Sequence, residues 1–232
     1  MNSLKQIEPG IFGSQKELNA LAEKNEAKLI VISDSHGNTP LLSYVIKEYA
    51  KECDALVFAG DGASDLVSII EAASSDRNIK EMLPPIIIFV KGNNDPFQCF
   101  AKIKSLKKIF SPKDSAFTRI TVPREVVFTA AGKKILVLHG HEQGVYYSNQ
   151  ALTEYAHKKD CSITIHGHTH VPCENYFSVY TINPGSLSLP RMSSKQGFAY
   201  LFVRPDVTYT TFFGLSDRKT LTFSSYSPDT YF

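Results

Sequence analysis

Short, uninterrupted apolar runs alternate with segments of helical periodicity in the first part of the chain. The apolar runs cover residues 28–33, 55–59 and 86–91. They have the length and composition of buried parallel strands. One helix is predicted to follow the first run, with Thr39 as N-cap and Pro40 at the first helical position, and to end near residue 53. A second helix is predicted within residues 63–74, so the order is β-α-β-α-β.

The second half of the chain is richer in strands. Strands are predicted at residues 118–129, 134–139, 161–165, 174–182, 197–203 and 207–213. Ala131-Gly132-Lys133 has the composition of a hairpin turn between the first two of them. Helices are predicted at residues 97–110 and 146–158. An α/β half followed by a strand-rich half predicts two packed mixed β-sheets flanked by helices.

A single domain accounts for most of the 232 residues, because no linker composition divides the chain. Ser14 and Glu17 form a capping-box pattern that predicts a short amphipathic helix over residues 14–25. We therefore expect an N-terminal extension over residues 1–27, the domain over residues 28–215 and a C-terminal tail over residues 216–232. The tail is polar and rich in Ser and Thr, so we expect it to be loosely held.

Composition and charge argue against several classes of function. The formal net charge of +2 is too small to require nucleic acid or membrane as a partner. The longest aliphatic run, residues 86–90, is far shorter than the ~18 residues that span a bilayer, and the N-terminus lacks an apolar signal region. A cytoplasmic location is therefore expected. The cysteines form no C-x-x-C pair, which argues against a zinc knuckle and a redox motif.

Five of the apolar runs end in residues that can bind a metal ion. These ends are Asp34-Ser35-His36, Gly60-Asp61, Gly92-Asn93-Asn94-Asp95, His139-Gly140-His141 and Gly167-His168-Thr169-His170. Taken singly, an Asp or His after a strand is more often a turn-former or an N-cap. The five together, each at a strand end, are improbable by chance. Because ligands gather where strands of α/β sheets end, we expect one pocket rich in oxygen and imidazole ligands.

At these residues the sequence resembles the calcineurin-like metallophosphoesterase superfamily. Within it, the sequence is similar to the small bacterial and archaeal phosphodiesterase-like branch, which also includes the retromer-associated scaffold subunit. The resemblance covers nearly all of residues 28–213, and Asn183-Pro184-Gly185-Ser186 adds a further signature of this branch. It implies a four-layer αββα sandwich and a metal-dependent phosphoric ester hydrolase.

The resemblance also implies a ligand set for two metal ions. Asp34, His36 and His170 would hold one ion and Asn93, His139 and His168 the other, with Asp61 bridging the two. Imidazole suits Mn, Fe, Zn, Co or Ni, whereas Mg alone or Ca prefers oxygen ligands. We therefore expect two divalent transition-metal ions, with Mn favoured by the family. A hydroxide between them would attack phosphorus in line and hydrolyse the ester.

Asn94 and Asp95 bear on the kind of ester that is cleaved. Phosphatases of the superfamily carry His where this chain has Asn94, and an amide cannot protonate a leaving alkoxide. Diesters and esters with good leaving groups are therefore better candidate substrates than alkyl monoesters. Asp95 is a candidate for proton transfer through water, and the capping of a helix that opens at Pro96 is at least as plausible a role.

Other polar residues near the motifs have two interpretations each. Asn38 either binds substrate phosphate or stabilises its turn, and Arg191 either binds phosphate or forms a surface ion pair, which is slightly favoured. His141 is a substrate-side candidate, since seven ligand positions are already filled. Four lysines follow Asp95: Lys102, Lys104, Lys107 and Lys108. They are expected to form the solvated face of a helix, and a lid that attracts polyanionic substrate is the minority hypothesis.

The preferred interpretation is a metal-dependent phosphodiesterase acting on a small phosphate ester. The alternatives are a non-catalytic protein-binding scaffold with the same fold, and a phosphomonoesterase or nuclease. All seven ligand positions are retained, which favours the enzyme over the scaffold. A nuclease would need a continuous basic track with stacking aromatics, and only residues 102–108 support one. Nucleic acid and membrane are not expected as obligatory partners, and a homo-oligomer stays open.

Overall fold

A computed structural model gives the structure of the chain and describes residues 1–103, 117–176 and 178–228. Its helices are α1 (Gln15–Glu23), α2 (Thr39–Tyr49), α3 (Ala63–Ala73), α4 (Arg77–Met82) and α5 (Gln150–Lys158). Its strands are β1 (Gln6–Glu8), β2 (Ile11–Phe12), β3 (Ala27–Ile32), β4 (Ala55–Phe58), β5 (Ile86–Phe89), β6 (Gln98–Ala101), β7 (Thr118–Thr121), β8 (Glu125–Ala130), β9 (Lys133–Leu138), β10 (Ile163–Ile165), β11 (Cys173–Tyr176), β12 (Tyr180–Asn183), β13 (Gly197–Val203), β14 (Thr208–Asp217) and β15 (Thr222–Tyr226). None of the helices in the described ranges is long and apolar enough to cross a membrane.

The strands form two mixed sheets and a separate two-stranded ribbon. The larger sheet has the order β1-β2-β5-β4-β3-β13-β14-β15, in which β3, β4 and β5 are parallel and the outer strands pair antiparallel. The smaller sheet has the order β11-β12-β10-β9-β8, in which β9, β10 and β12 are parallel. The ribbon consists of β6 and β7. The mixed sheets of an α/β protein, predicted from the sequence, are confirmed.

The larger sheet is buried on both faces, which explains its continuous apolar runs. On one face, Ile30 and Leu56 belong to a core that they share with residues of α2 and α3. On the other face, Val31 and Val57 belong to a core that includes Val137 of the smaller sheet. Because successive side chains of a strand point to opposite faces, both sets have to be apolar.

The smaller sheet has an outer helix of its own. Leu136 and Leu138 of β9 pack with Leu152 and Ala156 of α5, on the face opposite to the one that meets the larger sheet. The layers therefore follow the order helices, larger sheet, smaller sheet, helix. This is the four-layer αββα arrangement expected from the resemblance.

A two-residue turn at Ala131 and Gly132 joins β8 to β9 and also anchors α1. Both residues have positive φ (46° and 75°), as a tight hairpin turn requires. Their amides donate to the carbonyl oxygens of Leu21 and Ala22 at the end of α1 (3.0 and 2.8 Å). The predicted hairpin is confirmed, and so is the predicted N-terminal helix, which has Ser14 as its N-cap.

The helix predicted over residues 97–110 is wrong in its described part. Gln98–Ala101 form strand β6, in which Cys99 and Ala101 are buried and the alternate residues are exposed. The buried face joins the core that contains α3, so a two-residue period is satisfied where a helical one was expected. The rest of the predicted helix, residues 104–110, lies outside the described residues.

Two further predictions are corrected at the start of α2 and in the tail. Asn38, not Thr39, is the N-cap of α2: its Oδ1 accepts a hydrogen bond from the amide of Leu41 (3.3 Å). The tail after Ser216 is not loosely held where it is described, because β15 pairs with β14 and Phe223 is buried in the helix-side core. At the other end, β2 pairs with β5, so segments on both sides of the predicted domain extend its larger sheet. The boundaries at residues 28 and 215 stay a prediction.

Candidate metal centre

The metal-binding motifs follow the parallel strands of both sheets. In the larger sheet, Asp34 follows β3, Asp61 follows β4 and Asn93 follows β5. In the smaller sheet, His139 follows β9 and His168 follows β10. The carboxyl ends of parallel strands lie at the same edge of a sheet, so these loops meet at one edge of the sandwich.

The ligand loops hold their backbone in a conformation that residues other than glycine rarely adopt. The angle φ is 56° at Asp34, 44° at His36, 54° at Asp61, 70° at His168 and 62° at His170. Each left-handed residue costs about 1–2 kcal/mol. Strain of this kind persists only where surrounding contacts enforce it, and it is typical of functional sites.

Asp34, His36 and His170 form one compact cluster. The Oδ1 atom of Asp34 lies 3.6 Å from His36 Nε2 and 3.2 Å from His170 Nε2, and the two Nε2 atoms are 3.1 Å apart. Two nitrogens that each lie about 2.1 Å from a shared ion are about 3.0 to 3.4 Å apart, so this spacing fits one transition-metal ion. The other carboxylate oxygen, Oδ2, accepts from Ser33 Oγ (2.6 Å) and from the amide of His168 (3.1 Å), which leaves Oδ1 facing the cluster.

Asp61 lies between this cluster and His139. Its Oδ2 atom is 3.8 Å from His36 Nε2 and 3.5 Å from His139 Nε2, which in turn is 3.9 Å from Asp34 Oδ1. A Cβ atom at Gly92 would lie 2.0 Å from Asp61 Oδ1, so glycine is required for this close approach of the two loops. One oxygen of Asp61 thus faces imidazoles on both sides, which is the position that a bridging ligand needs.

Two buried polar atoms support a metal at this site. Asp34 Oδ1 and His139 Nε2 are buried and have no hydrogen-bond partner within the described part of the chain. The Nδ1 atoms of His139 and His170 contact the carbonyl oxygens of Ala59 (2.7 Å) and Leu189 (2.6 Å). Because a carbonyl oxygen only accepts, Nδ1 of each ring donates to it, and a ring in its neutral form presents the lone pair of Nε2 to the cluster. Such orphaned acceptors fit a divalent cation.

The close contacts stabilise the ionised form of both carboxylates. Burial by itself raises the pKa of Asp34, but the imidazoles of His170 and His36 lower it more, so the pKa lies well below its usual range. Burial also opposes the shift at Asp61, and contact with the His139 imidazole outweighs it to bring the pKa to about 2. In return, contact with Asp34 raises the pKa of His36. Burial lowers the pKa of His139, but Asp61 and Asp34 outweigh it and raise the pKa overall.

Two clusters of described residues have ligand atoms that all lie within 4.8 Å of one another: Asp34, His36 and His170, and Asp34, Asp61 and His139. His168 lies beside these clusters and belongs to neither. Its ring centroid is 5.1 Å from that of His139 and 5.9 Å from that of His141. Burial and the charge of His139 lower the pKa of His168 to about 4, which keeps this imidazole neutral at physiological pH. Asn93 is exposed. The assignment of Asn93 and His168 to a second ion, like the other ligand assignments, stays a prediction.

Asn94 orients Asp61. The backbone amide of Asn94 donates to Asp61 Oδ1 (2.8 Å), and its side-chain Nδ2 donates to Asp61 Oδ2 (2.6 Å). The sequence shows that Asn94 cannot act as an acid, but it carries no sign of this contact. Asn94 therefore supports the candidate bridging ligand as well as removing an acid from the site.

Asp95 accepts four backbone hydrogen bonds. They come from the amides of Asp61 (2.7 Å), Gly62 (3.0 Å), Ala63 (2.9 Å) and Gly92 (2.9 Å). Since Gly62 and Ala63 begin α3, Asp95 caps α3 and not a helix that opens at Pro96. Four backbone donors converge on this side chain, which favours a positioning role. Proton transfer by Asp95 stays a prediction.

Residues outside the ligand motifs brace the strained loops. Asp65 on α3 accepts from Ser35 Oγ (2.6 Å) and from the amide of Gly37 (2.9 Å). Asn183 and Ser186 donate to carbonyl oxygens of the loops after β10 and β3 (2.8 Å each). The signature around Asn183 indicates the last two residues, whereas Asp65 sits within a helix and has no sequence signal.

The residues with two interpretations are resolved only in part. Asn38 caps α2, which agrees with its turn-stabilising alternative, and its contact with substrate stays a prediction. Arg191 forms no ion pair with a carboxylate of the described residues, and instead its guanidinium donates to the hydroxyl of Tyr146. The predicted lid falls mainly on Lys104, Lys107 and Lys108, which lie outside the described residues.

A family comparison agrees with this geometry. The profile of the calcineurin-like phosphoesterase superfamily domain matches residues 28–206. The chain belongs to the calcineurin-like phosphoesterase superfamily. The probable metallophosphoesterase YsnB of Bacillus subtilis is 28% identical over 186 residues, which are 80% of this chain and 89% of that protein. Divalent metal binding is a property of this superfamily, and the candidate ligand clusters of this member are consistent with it.

Solved structures share the fold of this calcineurin-like phosphoesterase. A conserved protein of Streptococcus pneumoniae, described as a predicted phosphoesterase, has a TM-score of 0.57 at 24% identity, with 82% of this chain and 91% of that chain covered. Vacuolar protein sorting 29 of Cryptosporidium parvum has a TM-score of 0.61 at 15% identity, with 88% and 97% covered. At these identities the two structures establish the fold alone.

Metal affinity is expected to rise with pH between about 6 and 8. The raised pKa values of His36 and His139 mean that protons compete with the metal in this range, and each proton displaced changes the apparent affinity by up to about tenfold per pH unit. Calorimetric titration with Mn²⁺ at both pH values measures the change. His36→Ala should lower the affinity, and the surface variant His157→Ala should not. A pH-independent affinity would contradict the expectation.

Asp95→Asn is expected to lower the free energy of unfolding by about 2–3 kcal/mol, because the new amide group points donors at two backbone amides. Denaturant unfolding measures the loss. The matched control is Asp76→Asn at the exposed N-terminus of α4, where the expected cost is about 1 kcal/mol or less. Equal losses in the two variants would show that Asp95 is only a helix cap.

Proposed function

We propose that this chain is a metal-dependent phosphodiesterase with a dinuclear centre. The observation that carries the proposal is the position of Asp61 Oδ2, which faces His36 Nε2 on one side (3.8 Å) and His139 Nε2 on the other (3.5 Å). A carboxylate placed between two imidazole clusters suits two cations, because its charge offsets their repulsion.

The ligand set divides into two groups around Asp61. Asp34, His36 and His170 would hold one ion, and Asn93, His139 and His168 the other. The mixture of carboxylate, imidazole and amide suits Mn best in this family, with Fe, Zn, Co or Ni as alternatives. When bound, such ions supply Lewis acidity to the phosphoryl oxygens and lower the pKa of water.

The protein's own groups position the reaction and limit the substrate. Asn94 donates to both carboxylate oxygens of Asp61, and Asp95 accepts hydrogen bonds from the backbone amides of residues 61–63, which fixes the backbone at Asp61. Asn94 offers no proton to a leaving group, because its side chain is an amide. Diesters and aryl esters leave without such an acid more readily than alkyl monoesters do, which supports a diesterase.

The proposal extends to the substrate, the partners and the location of the protein. We infer a small phosphate ester as substrate, without an obligatory nucleic-acid or membrane partner, and a cytoplasmic location. The rival is a protein-binding scaffold with the same fold. It predicts ion binding without hydrolysis, so activity separates the two.

Hydrolysis of an aryl diester by the Mn-loaded protein is expected to exceed hydrolysis of the matching monoester. Asp61→Ala and His168→Ala should each reduce it by at least about a hundredfold. Bis(4-nitrophenyl) phosphate and 4-nitrophenyl phosphate are the paired substrates, and His157→Ala is the surface control. Activity that survives both substitutions would rule out the dinuclear mechanism. If the protein binds two ions and hydrolyses neither ester with any metal, the result would favour the protein-binding scaffold.

Asn94→His is expected to raise monoester hydrolysis relative to diester hydrolysis by at least about tenfold, because an imidazole adds a proton donor where the amide has none. The matched control is Asn94→Ala, which also removes the hydrogen bond to Asp61 but adds no acid. The ratio of kcat/KM for the two esters is the measurement. If both variants change the ratio equally, Asn94 acts only through Asp61.

A further inference from the structure

Tyr146 stands beside the metal-binding clusters, in the turn that follows β9. Its ring meets the ring of His168 edge to face, with centroids 4.8 Å apart and an interplanar angle of 69°. Its hydroxyl donates to the backbone carbonyl of His168 (3.0 Å). The ring of His168 is in turn 5.1 Å from that of His139. Tyr146 is therefore separated from the inner clusters by a single imidazole.

Arg191 contacts Tyr146 from a different loop. Its guanidinium donates to the Tyr146 hydroxyl and lies over the Tyr146 ring, with Cζ 5.7 Å from the centroid. Its backbone amide donates to the carbonyl oxygen of His170 (3.2 Å). Among the described residues no carboxylate lies within ion-pair distance of Arg191, so its charge is available to an anion.

The exposure of Tyr146 argues against a purely internal role. Its side chain is 38% exposed although its hydroxyl is used on both sides, as donor to His168 and as acceptor from Arg191. A fixed aromatic ring with an open surface can stack on a planar group at little entropic cost, since its orientation is already set.

We propose that Tyr146, with Arg191 over its ring, forms a subsite for a planar aromatic arm of the phosphate ester. The inference rests on the proposed function, in which the phosphoryl group sits at the ligand clusters and an ester arm extends past His168. There Arg191 contacts a phosphoryl oxygen and Tyr146 contacts the arm. An aryl group or a nucleobase provides a planar surface on which the Tyr146 ring can stack, and a short alkyl arm does not.

The test compares two non-hydrolysable probes, phenylphosphonate and methylphosphonate, which share the charged head group and differ in the ring. Calorimetric titration of the Mn-loaded protein gives the preference for the ring as the Kd of methylphosphonate divided by the Kd of phenylphosphonate. Tyr146→Ala should reduce this ratio by about threefold to tenfold. Tyr146→Phe should preserve it, because the ring stays. Arg191→Gln should weaken the binding of each probe by about tenfold and leave the ratio unchanged.

Two matched controls locate the effect. Tyr147→Ala removes the adjacent tyrosine, which is 92% exposed, and should change neither Kd. Phe97→Ala removes another exposed aromatic ring, which contacts Lys91 and Arg124, and should also preserve the ratio. A ratio that falls in Phe97→Ala and not in Tyr146→Ala would overturn the subsite. The subsite would also be overturned if Tyr146→Ala weakened the binding of both probes equally and lost Mn²⁺, because Tyr146 would then only position His168.

Failure of the subsite and failure of the proposed function give different results. Ester hydrolysis together with a ratio that Tyr146→Ala leaves unchanged would overturn the subsite alone. A ratio that falls in Tyr146→Ala, in a protein that hydrolyses no ester in any metal, would uphold the subsite as a binding site and overturn the phosphodiesterase.

Discussion

The left-handed backbone of the ligand loops is the constraint on which the rest of the site depends. Asp34, His36 and Asp61 direct their side chains into one cluster only because φ is positive at each of them. An isolated loop would relax from this conformation, which is unfavourable for residues with a Cβ atom. Here Asp65 and Asp95 accept hydrogen bonds from the same loops and hold them in place. Groups that touch no ligand atom of the centre therefore determine its shape.

The two sheets convert these local constraints into one rigid centre. Asp95 follows β5, yet it binds the amides of Asp61 after β4 and of Ala63 at the start of α3. Ser186 follows β12 of the smaller sheet and binds the carbonyl oxygen of Asp34 after β3 of the larger one. Each bond joins two secondary-structure elements that are already fixed by the apolar cores. A shift of one sheet against the other would break the Ser186 bond and separate the clusters.

The parts of the fold that could be predicted from the sequence are those in which one physical signal dominates. The parallel strands are continuous apolar runs because both faces are buried, and the polar residues at their ends are the candidate ligands. Strand β6 was not predictable, since its two-residue alternation lasts for only four residues within a segment of helical periodicity. Strand β15 is an edge strand in which Phe223 is the single buried residue, and its Ser and Thr residues indicated a loosely held tail. Such elements are decided by tertiary contacts.

The contact between Tyr146 and Arg191 has no local signal at all, because the two residues are 45 positions apart. It matters for the distribution of charge across the site. The inner clusters contain two buried carboxylates whose pKa values are lowered, so they attract cations. An ion pair between Arg191 and Asp34 would neutralise one of these carboxylates and weaken the attraction of the site for a metal ion. The hydrogen bond to Tyr146 holds the guanidinium at the rim instead. Negative charge inside and positive charge at the rim can then coexist, and each is available to a different ligand: the interior to metal ions and the rim to an anion that approaches them.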